Sequence, residues 1–169
     1  MLCRVHPSKL AAALAVVLLG NPLLVDSKQL DVGDHFPDLG TFTLEGTLPT
    51  DWKGKIILVD FWASWCEPCR ASLPILNDIQ TQFARRGVLL IGISVDRNSA
   101  DMQRFLKRYP ASFTIVRDKE HRLVEICDID SMPTSFLLDR NGVIRSVHSG
   151  FYSGKTGPEL IKEIEALLE

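Results

Sequence analysis

Residues 60–70 of the chain read DFWASWCEPCR, and this segment decides the expected fold. It overlaps the end of residues 55–61, a short apolar run that predicts a strand covered on both faces. Apolar side chains then recur at helical spacing through residues 70–86, at Leu73, Leu76, Ile79 and Phe83. Cys66 and Cys69 are therefore expected where a strand ends and a helix begins.

A cysteine pair at a helix start favours redox chemistry. The first N–H groups of a helix lack intrahelical partners, and with the helix dipole they stabilise a thiolate at Cys66. The thiolate is the species that attacks a disulfide, so Cys66 is the expected nucleophile and Cys69 the resolving thiol. Pro68 lies in the first helical turn, where it costs no hydrogen bond.

A C-x-x-C pair can also bind zinc or be structurally inert. Structural zinc requires four ligands, and the remaining candidates, Cys127, His121 and His148, are scattered along the chain. We favour exchange chemistry with no metal and no cofactor, and keep the other two interpretations as alternatives.

Composition limits the protein to a few broad classes. The 169 residues are 46% hydrophobic and 24% charged, which is typical of one globular domain. The net charge of −2 makes nucleic acid an unsuitable partner. Four cysteines are too few for a disulfide scaffold in a chain of this length.

Residues 1–27 are expected to be a signal peptide or a membrane anchor. A basic start is followed by the continuously apolar residues 10–20 and a polar exit. The apolar run is shorter than the ~20 residues of a typical membrane span. We predict export with cleavage after Ser27, with an uncleaved anchor or a buried N-terminal helix as alternatives. Residues 28–169 are predicted to form the folded domain.

Downstream patterns predict a mixed sheet with helices on both faces. A hairpin is expected at 41–48 around Glu45 and Gly46, and a turn at 139–142. The other predicted strands are residues 88–95, 113–116, 134–138 and 143–148, and the other helices are 99–109, 120–126 and 159–169.

Residues 60–70 strongly resemble the active-site segment of the thioredoxin superfamily. Pro74 matches the proline that kinks that family's active-site helix, and Met132-Pro133-Thr134 resembles its cis-proline loop. Residues 32–38, VGDHFPD, and the helix at 99–109 resemble the TlpA/ResA-like branch. The resemblance, over about residues 30–169, implies an α/β thioredoxin fold: a mixed central sheet flanked by helices, an N-terminal β-hairpin and a central helical insert.

The resemblance also implies a partner-binding surface around the cysteines. Pro133 would follow a cis bond and face the pair, and the backbone of Met132 would pair with an extended partner segment. Trp65 would cover the pair or dock partners, whereas Trp62 is expected to pack in the core. Cys127 is interpreted as a small buried hydrophobe rather than a third redox thiol.

Asp60 matches the buried acid that relays the proton of the second cysteine in thioredoxins. Burial raises the pKa of a carboxyl group, so such an acid works as a base near neutral pH. The chain departs here from the TlpA/ResA-like pattern, which often carries Asn at this position and an acid where this chain has Ser72. We therefore expect Asp60 to act alone, with a backbone-bonded strand-end aspartate as the alternative.

Glu67 and Pro68, between the cysteines, are expected to tune the redox potential. An acidic Glu67 opposes a neighbouring thiolate, which makes the dithiol a stronger reductant. Cys-Glu-Pro-Cys is also the pair of ResA-like reductases. We therefore favour a reductase over an oxidant; the alternative for Glu67 is a solvated acid with little influence.

The resemblance predicts an exported thiol–disulfide oxidoreductase that keeps partner thiols reduced, including those of apocytochromes. Its partners would be protein thiols and disulfides and a membrane electron donor, and we expect a monomer. Alternatives are an oxidase or isomerase, a peroxidase and a non-enzymatic thiol-binding module. The peroxidase pattern Pro-x-x-x-Thr-x-x-Cys is absent from the sequence.

Overall fold

A five-stranded mixed sheet organises the protein in the strand order β3-β2-β1-β4-β5. The computed structural model describes residues 29–169, so the predicted signal or anchor at 1–27 lies outside the described residues. The strands are β1 (Ile56–Trp62), β2 (Val88–Ser94), β3 (Thr114–Arg117), β4 (Thr134–Leu138) and β5 (Ile144–Ser149). The helices are α1 (Glu67–Phe83), α2 (Ser99–Arg108), α3 (Arg122–Ile126) and α4 (Thr156–Leu168).

Strand β1 lies at the centre of the sheet, and all seven of its residues are buried, as its apolar run predicts. It pairs in parallel with β2, which pairs in parallel with β3. On its other side it pairs antiparallel with β4, which forms an antiparallel pair with β5. The predicted mixed sheet is thus confirmed.

The sheet separates two hydrophobic cores, and alternation along β1 supplies both. Ile56 and Leu58 pack with α1 and α4, whereas Ile57, Val59 and Phe61 belong to the core on the other face. The second core also contains residues of α2, α3 and the segment before β1. Asp60 lies in phase with Leu58 and therefore on the α1 face.

The predicted helices are present with shifted ends. Helix α1 begins at Glu67 rather than residue 70 and ends at Phe83, followed by a 3-10 turn at Ala84–Arg86. Pro74 lies inside α1. The predicted insert at 99–109 is α2, with Tyr109 as its C-terminal cap.

The predicted hairpin at 41–48 is wrong. A short 3-10 turn occupies Leu39–Thr41, and Glu45 instead forms an isolated bridge to Arg117 at the end of β3. The N–H and C=O of Glu45 both bond to Arg117, so they are not available to a strand within the segment. Gly46 has φ +123, and a Cβ there would lie 3.0 Å from the carbonyl oxygen of Ile115. The glycine allows close approach to β3 rather than a hairpin turn.

Within residues 29–169, no helix combines the length and apolarity that crossing a membrane requires.

Candidate active site

Cys66 and Cys69 form a disulfide at the start of α1, where the sequence places them. Strand β1 ends at Trp62, and Cys66 is the N-terminal cap of the helix. The backbone N–H of Cys69 donates to Cys66 Sγ at 3.1 Å. A helix-start N–H without an intrahelical partner is therefore aimed at the sulfur on which the sequence predicts the thiolate.

The two sulfurs differ in how a partner can approach them. Both cysteines are buried, but Cys66 lines two surface grooves that flank the disulfide, and Cys69 lines neither of them. Trp65, directly before Cys66, is 71% exposed. Of the two cysteines, Cys66 is therefore the one that borders the space in these grooves.

The peptide bond between Met132 and Pro133 is cis, as predicted. Pro133 is buried, and its carbonyl oxygen accepts a 2.7 Å hydrogen bond from the N–H of Gly150. Met132 lines a groove of about 440 Å³ beside the disulfide. The predicted site residues that share this groove with it are Trp65, Cys66, Glu67 and Pro68.

Asp60 is buried in the third-to-last position of β1. Burial raises the pKa of its carboxyl group from 3.8 to about 7, against the opposing effect of a hydrogen bond from Ser135. The Ser135 hydroxyl donates to Asp60 Oδ1 at 2.6 Å across the β1–β4 pair. The alternative is a carboxylate hydrogen-bonded to the backbone. The Asp60 carboxylate instead accepts from the hydroxyl of Ser135.

Glu67 is exposed at the helix start and forms an ion pair with Arg70 one turn later. The pair lies on the rim of the disulfide, where solvent screens it. Pro68 occupies the first turn of α1, as the sequence predicts. Ser72 is buried, and its hydroxyl donates to the carbonyl oxygen of Cys69 at 3.0 Å.

Sequence reasoning missed the carboxylate that holds the loop before Cys66. Asp96, which is buried, accepts hydrogen bonds from the N–H and hydroxyl of Ser64 and from the hydroxyl of Ser94. Its signal is an acidic residue directly after the predicted strand at 88–95. Parallel strands β1 and β2 end at the same edge of the sheet, which brings Asp96 to the cysteine loop.

Trp62 packs in the core, as expected, with its ring centroid 5.2 Å from that of Phe105 on α2. Cys127 is a fully buried free thiol. Burial, with a smaller effect of Asp118, raises the pKa of Cys127 to about 12. The interpretation of Cys127 as a buried hydrophobe therefore agrees with its environment. His148 lies on β5 and contacts Glu163 of α4.

The described part of the chain contains no cluster of ligands that would support the zinc alternative. No group of three or more His, Cys, Asp or Glu side chains suited to a metal lies within residues 29–169. The two cysteines bind each other instead.

Comparison with known proteins assigns the chain to a family. Residues 32–147 match the AhpC/TSA family. A thiol-disulfide oxidoreductase ResA from Geobacillus thermodenitrificans is 29% identical over 143 residues, which cover 83% of this chain and 82% of that protein.

Two solved structures extend the comparison to the fold. One, described as a thiol:disulfide interchange protein DsbE from Chlorobium tepidum, is 36% identical with a TM-score of 0.76, covering 83% of this chain and all of that one. StoA from Bacillus subtilis is 29% identical with a TM-score of 0.59, covering 66% of this chain and 84% of that one. Together they confirm the thioredoxin-like fold. The chain belongs to the AhpC/TSA family, as a thiol–disulfide oxidoreductase of the ResA/DsbE type with a Cys66–Cys69 pair.

Proposed function

We propose that this protein is an exported reductase of protein disulfides, in which Cys66 attacks the partner and Cys69 resolves the mixed disulfide. The observation that carries this assignment of roles is the position of Cys66. Its sulfur caps α1, accepts the N–H of Cys69 and borders the grooves through which a partner approaches. Cys69 lies one turn further into the helix, within reach of Cys66.

The exchange proceeds in two displacements. The Cys66 thiolate forms a bond to one partner sulfur, the partner S–S bond breaks, and the departing thiolate takes a proton. The Cys69 thiolate then bonds to the Cys66 sulfur and releases the second partner thiol. Two electrons pass to the partner disulfide, and the enzyme is left as the Cys66–Cys69 disulfide.

Asp60 serves this second displacement as the base for Cys69. A thiol inside the core needs a proton acceptor that does not depend on bulk water. A carboxyl group whose pKa lies at about 7 is half ionised at neutral pH and matches that task. The Ser135 hydroxyl holds the carboxylate in one orientation.

The partner segment is bound by the groove that contains Met132, Trp65 and Cys66. An extended segment would pair with the Met132 backbone as an added strand, which positions its sulfur beside Cys66. Pro133 holds this loop in its cis conformation and offers no ligand to a metal. Trp65 contributes an exposed aromatic surface to the same contact.

Reduction is favoured over oxidation by the residues between the cysteines. The carboxylate of Glu67 lies next to Cys66, and a negative charge there disfavours the thiolate of the reduced enzyme. A reduced form that is less stabilised gives up electrons more readily. Arg70 offsets part of this charge, so Glu67 makes only a moderate contribution.

The cellular role follows from export and from the exchange chemistry. The signal-like residues 1–27 would direct the domain at 28–169 across a membrane, with the segment cleaved or retained as an anchor. Such a reductase requires a membrane electron donor, and apocytochrome cysteines awaiting haem are suitable partners. The domain would act as a monomer.

Two measurements test the proposal. Full-length Cys69→Ser protein should trap partners as mixed disulfides through Cys66, and the Cys66→Ser variant is the matched control that should trap none. The reduction potential of the pair should be about −270 mV or lower. A value near −120 mV would assign an oxidant, and an empty trap would argue against general exchange.

A further inference from the structure

Two grooves meet at Cys66, one on each side of the disulfide. The larger, about 660 Å³, lies between the start of α1 and helix α2. The smaller, about 440 Å³, lies between the disulfide and the loop that precedes Pro133. Trp65, Cys66 and Glu67 line both grooves, so an extended segment crossing Cys66 would occupy one groove on each side.

The two grooves differ in charge. The groove on the α2 side is lined by three arginines, Arg70, Arg104 and Arg108, against the carboxylates of Glu67 and Asp101. The groove beside the Pro133 loop is lined by Glu67 and Asp130 and by no basic residue. The charged side chains that line the two grooves therefore sum to a positive charge on the α2 side and to a negative charge beside the Pro133 loop.

Ion pairing leaves one charge unmatched on each side. Arg70 pairs with Glu67 and Arg104 with Asp101. Arg108 and Asp130 are both exposed, and neither forms an ion pair with any residue between 29 and 169. These two side chains can each pair with a charge brought by a partner.

Two of the arginines in the α2 groove contact an aromatic ring. The guanidinium groups of Arg70 and Arg108 lie 5.8 and 5.3 Å from the Tyr109 ring centroid. Tyr109 packs on Phe105, with their centroids 5.1 Å apart, and Phe105 packs in turn on the buried Trp62. Because the Tyr109 ring restricts the side chains of Arg70 and Arg108, less side-chain entropy is lost when an anion binds to them.

We propose that the enzyme selects and orients its partner by charge on both sides of the reacting cysteine. The preferred partner is an extended segment with a disulfide-bonded cysteine, a carboxylate in the α2 groove and a lysine or arginine beside Asp130. This inference rests on the proposed function, since the segment must cross Cys66. Strand pairing with Met132 sets the direction of the segment, so the two orders of charge along a peptide are not equivalent.

The test uses two peptides of identical composition. Each contains one cysteine in a disulfide with 2-mercaptoethanol, with two Glu on one side and two Lys on the other, in opposite orders. A third peptide has Ser in place of every charge. The rates of their reduction by the reduced full-length protein are measured at low salt and at ~1 M salt.

One charge order should react about three- to tenfold faster at low salt, and the ratio should fall towards one at high salt. Equal rates for the two orders, with the neutral peptide still reduced, would overturn this inference alone. Failure to reduce any of the three peptides would count against the proposed function.

Charge-reversal variants identify the residues that cause the rate difference between the two peptides. Arg108→Glu should abolish or invert the ratio between the two orders, and Asp130→Lys should do the same from the other groove. Lys107→Glu is the matched control, because Lys107 is an exposed residue of α2 that does not line the groove. Each ratio is taken within one protein sample, so a lower overall activity cancels. A ratio that changes equally in the Lys107→Glu protein would show a net-charge effect and overturn the inference.

Discussion

The hydroxyl of Ser135 donates a 2.6 Å hydrogen bond to the buried carboxylate of Asp60. The two residues are direct cross-strand partners on β4 and β1. Ser135 lies two residues after Pro133, so the strand that begins at the cis-proline loop also orients the acid before the cysteines. The cis-proline loop proposed to bind the partner and the acid proposed as the base are therefore connected through one strand pair.

Removing this hydroxyl should raise the pKa of Asp60 further above about 7. The hydrogen bond stabilises the ionised carboxylate, so Ser135→Ala favours the protonated form. The carboxyl carbon of Asp60, followed by NMR through a pH titration, reports the change. Ser146→Ala is the control, because its hydroxyl donates to Glu163 instead. An unchanged or lower pKa in Ser135→Ala would contradict the prediction.

Asp60→Asn should slow disulfide exchange by about tenfold or more at pH 7, since it removes the proposed base without changing the size of the side chain. The exchange rate of the reduced variant is measured across pH 6–9. Wild type should show a rise centred near pH 7 that the variant lacks. Matching profiles for the two proteins would rule out the relay.

The ionised carboxylate of Asp60 should also lower the free energy of unfolding of the oxidised protein at alkaline pH. Its folded-state pKa of about 7 exceeds the ordinary 3.8, so its protonated form favours folding at low pH. That contribution declines as the pH rises from about 4 to 7 and is lost above the folded-state pKa. Asp60→Asn lacks this decline and should be more stable than wild type at pH 8 by about 2–4 kcal/mol.

Denaturant unfolding of oxidised wild type and Asp60→Asn between pH 4 and pH 8 measures this difference in the free energy of unfolding. The advantage of the variant should be small at pH 4 and grow with pH. Two curves that stay parallel over this range would contradict the raised pKa.

Asp96→Ala should destabilise the protein and loosen the loop before Cys66. The substitution removes a buried acceptor of hydrogen bonds from Ser64 and Ser94 and leaves their donors unsatisfied. We expect a loss of about 2–4 kcal/mol in the free energy of unfolding and faster amide exchange at Ser64. Asp78→Ala, on the exposed face of α1, is the control and should change stability by less than about 0.5 kcal/mol.

Cys127 should resist alkylation in the folded protein. Its thiol is fully buried, and a pKa of about 12 leaves almost no thiolate at pH 8. Iodoacetamide treatment followed by peptide mass mapping should label Cys66 in the reduced native protein and leave Cys127 unlabelled until denaturant is added. Equal labelling of both residues in the folded state would refute this.

Local patterns were sufficient for much of the fold and for the two cysteines. The apolar run before Cys66 predicts a buried central strand because a strand covered on both faces is apolar at consecutive positions and the run is short for a helix. The C-x-x-C spacing and the apolar periodicity after it predict a helix that starts at the pair. The cis bond before Pro133 came from family resemblance, since nothing in the residues themselves distinguishes it from a trans proline.

The segment at 41–48 shows where local patterns fail. Glu45 and Gly46 have the residue types of a turn, but their backbone groups bond to β3, which lies about 70 positions further along the chain. Turn propensity depends only on neighbouring residues. Here the hydrogen bonds to the edge of a distant strand determine the conformation instead.

By itself the sequence determined the strand–cysteine–helix unit, the burial of β1 on both faces, and the residue types available for exchange, because these depend on neighbours within a few positions. Only the tertiary structure decided which distant residues meet there. Strand pairing brings Ser135 to Asp60 and Asp96 to the cysteine loop, and helix packing brings the arginines of α2 to one side of Cys66 and leaves Asp130 on the other. Such contacts join residues 30 or more positions apart, and the register of strands and the packing of cores set them, not local sequence preference.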